Sequence, residues 1–134
     1  MSKYVKLGVV LLLITGVGFV LHTFVLKALG LEIYWSETSY TLVGLYAFGF
    51  IVSLLITVFM HLTDFSMPKY ISFVFLGCVM LKGIASYLFI QNGLNLFEND
   101  FIELNFLVTF FIFLLYDIYV AYLLVNQEVK VVEK

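Results

Sequence analysis

The sequence predicts an all-α integral membrane protein: a bundle of four transmembrane helices, up-and-down, with both termini cytoplasmic. Three observations predict it. The 134 residues are 63% hydrophobic and 12% charged, against about 45–50% and about 25% in soluble domains. Four apolar runs lie at 7–26, 41–62, 70–90 and 101–125, and 20 helical residues at about 1.5 Å each match a hydrocarbon core of about 30 Å. The lysines are sorted between alternate connections. Lys3, Lys6, Lys69, Lys130 and Lys134 fall on one side and Lys27 on the other, and a lysine-rich side faces the cytoplasm. The whole of 1–134 reads as one transmembrane domain.

The first run follows a short positive start containing Lys3 and Lys6. A secretory signal has the same opening, but this run is longer than an ordinary signal core and no small-residue cleavage site follows it, so a retained helix is expected. The connection 27–40 carries Tyr34 and Trp35, whose amphipathic rings suit the membrane interface. Ser36 or Ser39 is expected to cap the second helix. In that helix Gly49, Ser53 and Thr57 recur every four residues and so share a face on which a neighbouring helix packs closely.

Ser66 and Pro68 read as the start of the third helix, because proline is tolerated in a first turn. Gln91, Asn92, Gly93 and Asn95 form the next turn. Glu98, Asp100 and Glu103 make the following region acidic, and Asp100 with Glu103 resembles a capping box for the fourth helix. The tail from Asn126 to Lys134 is polar and expected to fray.

Two charges fall inside the spans. Lys82 near the centre of the third costs about 2.5–3.5 kcal/mol to insert. Eleven Leu, Ile, Phe and Val residues in 70–90 offset this by roughly 3–6 kcal/mol. Its helix face holds Phe75, Cys78, Val79, Ala85, Ser86 and Phe89. Cys78, Ala85 and Ser86 are small, as expected of a face turned to other helices.

Asp117 in the fourth span shares a face with Phe110, Phe113, Leu114, Val120, Ala121 and Leu124. A short connection makes these two helices antiparallel neighbours. The depths of the two charges differ by about 7 Å at 1.5 Å per residue, which a lysine stem largely covers. An intramembrane ion pair is therefore expected. It either fixes helix register, binds a partner or lines an ion path.

Other chemistries are not signalled. A net charge of −2 offers no basic surface to nucleic acid, and the absence of arginine removes bidentate phosphate recognition. Cys78 is the single cysteine, so neither an internal disulfide nor a CxxC pair is available. His22 is expected at the outer interface and His61 at the inner one, about 20 Å apart in depth, too far to share a metal. Tyr116, Tyr119 and Tyr122 read as an aromatic belt. No HExxH, GxSxG, phosphate loop or second intramembrane aspartate occurs. The first helix lacks the acid that small four-helix multidrug exporters need. No catalysis, metal or cofactor is expected.

Phe75-Leu76-Gly77 with Lys82 following, and Phe113-Leu114-Leu115-Tyr116-Asp117-Ile118-Tyr119 with Leu123-Leu124-Val125-Asn126, resemble ATP synthase protein I and its relatives. These are small four-helix bacterial membrane proteins. The likeness covers about half the chain. Members often carry an acid between the glycine and the lysine of the third helix; here Cys78 to Leu81 are uncharged. The resemblance implies a multi-pass protein of the bacterial inner membrane that helps assemble the rotor ring, with Lys82 and Asp117 as the matching polar positions. It also implies ATP synthase membrane subunits as partners beside the lipid bilayer.

The expected function is a non-catalytic auxiliary or assembly protein of a membrane complex. The alternatives are a small transporter or channel using Lys82 and Asp117, and a structural membrane protein. A homo-oligomer stays open.

Overall fold

A computed structural model describes residues 3–38, 40–94 and 100–133, with side chains placed for 5–38, 40–94 and 100–126. Four long helices carry the fold: α1 (Lys3–Leu29), α2 (Leu42–Ser66), α3 (Ile71–Ile90) and α4 (Phe101–Glu133). Short 3-10 turns occupy Glu32–Glu37, Pro68–Tyr70 and Gln91–Gly93. All four helices are long and apolar enough to cross a membrane. The sequence bounds were narrower at several ends, because hydropathy falls at the first charge while backbone hydrogen bonding continues past it.

The ends of the helices have local causes. α1 runs past Lys27 and stops at Gly30, whose φ of +69° is a left-handed conformation open to glycine. The Leu31 N–H donates to the Leu26 carbonyl at 3.0 Å and the Gly30 N–H to the Lys27 carbonyl at 3.2 Å. This is the Schellman pattern, which satisfies two of the last carbonyls.

The expected serine cap of α2 is corrected. The 3-10 turn carries the chain past Ser36, whose hydroxyl donates to the Ile33 carbonyl. Thr41 takes the cap position and accepts from the Gly44 N–H at 2.9 Å. Ser39 lies outside the described residues.

Ser66 ends α2 rather than opening α3. Its hydroxyl bonds back to the Leu62 carbonyl at 2.7 Å. Pro68 starts the 3-10 turn instead. Asp100 stands immediately before α4 with φ 55°, its carbonyl accepting from the Leu104 N–H. Asn95, Glu98, Lys134 and the side chains of Lys3 and Lys130 lie outside what is described.

α2 and α4 form the inner pair and share the largest face. α1 and α3 each pack on both of them, and make no comparable face with each other. The bundle is thus a diamond with α2 and α4 on its short diagonal. Gly49 sets the approach of the inner pair: a Cβ there would collide with the Phe113 ring. The core includes Leu45, Tyr46, Met60, Ile102, Phe113, Tyr116 and Leu124. Large apolar side chains such as Leu12, Phe73, Leu81 and Leu115 stand exposed on the outer faces, as suits contact with lipid.

The 3-10 segment after α1 folds over the end of α4. Trp35 meets Phe101 edge-on at 4.7 Å between centroids, and Tyr34 lies against the same ring at 5.1 Å. These two rings therefore close one end of the bundle.

Candidate functional site

The site begins with helical periodicity. On α3 the inward positions are Ile71, Lys82, Ser86 and Ile90, with Val74, Phe75, Cys78, Val79, Ala85 and Phe89 partly covered. Lys82 therefore shares its buried face with the small residues expected beside it. On α4 the inward positions include Phe113, Tyr116, Asp117, Val120, Ala121 and Leu124.

The two faces meet. Lys82 Nζ donates to Asp117 Oδ2 at 2.8 Å, with the side chains 2% and 0% exposed. Lys82 Nζ also stands 5.1 Å from the centroid of the Phe110 ring, within cation–π range. An aromatic column rises from there: Phe106 follows Phe110, Phe89 lies 6.0 Å from Phe106, and Phe48 stacks on Phe89 at 4.3 Å.

α2 supplies the third wall. Gly49, Ser53 and Thr57 are all buried. Gly49 receives Phe113. Ser53 stands beside Asp117, without a hydrogen bond of ordinary geometry from its hydroxyl. Thr57 donates to the Ser53 carbonyl at 2.8 Å. Ser86 Oγ and Asp117 Oδ1 are likewise buried and unpartnered among the described residues. Cys78 is only partly buried and free.

Two groups sit otherwise than the sequence implied. Tyr116 is no belt residue. It is 1% exposed, and its hydroxyl reaches the Leu7 carbonyl of α1 at 3.2 Å and the Thr57 hydroxyl at 3.1 Å. Tyr119 and Tyr122 do face outward.

His22 is not merely interfacial. Its Nδ1 lies 3.0 Å from the Tyr46 hydroxyl and its Nε2 2.5 Å from Asn105 Oδ1. Asn105 Nδ2 in turn donates to the Phe101 carbonyl at 2.7 Å. That bond fixes the amide, so Oδ1 accepts and His22 Nε2 carries the proton. In that tautomer Nδ1 accepts from the Tyr46 O–H. The chain ties α1, α2 and α4 together. His61 lies far along α2 from this group and joins no metal cluster; none exists among the described residues.

These features define a class: a four-span helical membrane protein whose interior, among the described residues, holds the Lys82–Asp117 ion pair and the hydrogen-bond chains through Tyr116 and His22. No known protein family, curated protein or solved structure matches the chain.

Proposed function

We propose that the chain is a non-catalytic auxiliary protein of a bacterial membrane complex, acting through its lipid-facing helices as an assembly helper of the ATP synthase rotor. The observation that carries this reading is the enclosure of Lys82 and Asp117. Both charges are used within the bundle, holding α3 against α4, so partners meet the outer faces. α1 and α3 offer most of that surface. Gly77, one of the residues carrying the resemblance, is exposed on α3 with open space beyond its Cα, and small residues let a partner helix approach closely. Met80 and Leu81 flank it, 63% and 67% exposed.

The test is a photo-crosslinking residue at Met80, followed by purification in mild detergent. Crosslinks to the rotor subunit support the proposal. Recovery of the chain alone, with or without crosslinking, refutes it.

A second reading rests on Ser53 Oγ, Ser86 Oγ and Asp117 Oδ1, buried polar atoms around the pair that lack a hydrogen bond of ordinary geometry among the described residues. They favour a small transporter with a polar path through the bundle. Ion or proton flux in liposomes, abolished in Asp117→Leu, would replace the first reading.

A further inference from the structure

A cleft of about 410 Å³ opens between α1 and α4 over Tyr46 of α2, within the usual range of about 300–1,000 Å³ for small-molecule sites. Its mouth is formed by lipid-facing Leu21, Leu104 and Val108. Its floor holds His22, Tyr46 and Asn105, the hydrogen-bond chain described above. Among the described residues no Asp, Glu, Lys or Arg lines it.

Depth narrows the ligand. The stretch of α1 long and apolar enough to cross a membrane is Val5–Leu29, and its middle is residue 17. His22 lies five residues beyond, about 7.5 Å from the midplane at 1.5 Å per residue. By the same measure Tyr46 and Asn105 lie about 12–13 Å from the middles of α2 and α4, so with a hydrocarbon half-thickness of about 15 Å the floor sits in the outer part of the apolar layer. A phosphate or other ionic head group would have to be buried there without a counter-charge. A neutral head group meets no such cost.

Hydrogen bonding narrows it further. Asn105 Nδ2 has two protons and uses one on the Phe101 carbonyl. The other is a donor that no described group takes up. His22 holds the amide in place from its oxygen side. The site therefore offers a fixed N–H to an acceptor such as a carbonyl oxygen. The flanking surfaces are rings: Tyr46, His22 and Phe101. They suit a flat ring entering sideways from the lipid.

We propose that this cleft binds a neutral single-ring lipid bearing a carbonyl, the chemistry of an isoprenoid quinone head group. Asn105 donates to the carbonyl, His22 positions Asn105, and the tail leaves between Leu104 and Val108 into the bilayer.

The chain carries its own reporter. Trp35 is the single tryptophan and packs on Phe101, a wall of the cleft. The purified full chain in phosphatidylcholine nanodiscs is titrated with a ubiquinone analogue bearing one isoprene unit, following Trp35 fluorescence. Saturable quenching at one ligand per chain is expected, with an alkylbenzene of equal tail length failing to compete. Asn105→Leu should weaken binding roughly tenfold, the scale of one lost hydrogen bond. Val108→Phe fills the mouth from an exposed position, and should weaken binding similarly while leaving thermal unfolding unchanged. That variant decides the matter if Asn105→Leu fails to fold. Quenching that never saturates, equal competition by the alkylbenzene, or wild-type affinity in Val108→Phe each overturns the proposal; the second would make the cleft a groove for ordinary acyl chains.

Discussion

Removing either member of the Lys82–Asp117 pair leaves the other charge in a place with almost no water, because the side chains are 2% and 0% exposed. Lys82→Met strands a carboxylate beside Ser53, and Asp117→Leu strands an ammonium beside Phe110. Each survivor must neutralise or draw in water, and both responses cost free energy. In soluble proteins breaking a buried pair costs about 3–5 kcal/mol. Interhelical polar contacts in membranes average about 0.6 kcal/mol, with a maximum near 1.7. The enclosure of this pair places it near the upper end of the membrane range.

Each single variant is therefore expected to lose about 2 kcal/mol, and the double variant about 2.5 rather than 4, a coupling of roughly 1.5 kcal/mol. That coupling is about tenfold in the unfolding constant. The assay is reversible unfolding in mixtures of mild detergent and sodium dodecyl sulfate, followed by circular dichroism. Losses that add to within about 0.3–0.5 kcal/mol would refute the reasoning, since independent sites behave that way. Cellular function of the double variant then separates a register-fixing pair from one that a partner or path requires.

Gly49→Leu should destabilise the bundle by about 1–3 kcal/mol in the same unfolding assay, because the new side chain occupies the place of the Phe113 ring. Adding Phe113→Ala should return part of the loss, and wild-type unfolding of the single variant would count against the close α2–α4 approach. Alkaline phosphatase fused within Glu32–Ser36 is expected to be active, and fused after Lys134 inactive; activity at the C-terminus would reverse the orientation read from the lysines.

The spans and the inward face of α3 were legible because hydropathy and a 3.6-residue period are local signals. Lys82 with Ser86 on one face follows from spacing alone. Tyr116 was not legible in the same way. Three residues turn a helix by about 300°, so a tyrosine every third position drifts around the helix instead of forming a row. Tyr116 is thereby buried while Tyr119 and Tyr122 emerge.

His22 escaped for a different reason. Its partners lie 24 and 83 residues away, on helices whose rotation no local pattern gives. Gly18, one turn earlier and close under the Tyr46 ring, and Asn105 in an otherwise apolar helix were the available signals. The α2 cap shifted from serine to Thr41 because the 3-10 turn uses up the residues between. That turn has no strong sequence signature.

The pairing of Lys82 with Asp117 also sets an order in time. The two residues are separated by 35 positions, and chains are synthesised at about 5–20 residues per second, so the lysine is added to the chain roughly 2–7 s before its counter-charge. During that interval α3 enters the bilayer on its apolar residues alone, with Lys82 hydrated or reaching toward the surface. Arrival of α4 closes the pair and withdraws the lysine from water. A newly made chain whose fourth helix is delayed would therefore hold a third helix whose charge has no counter-charge within the bundle.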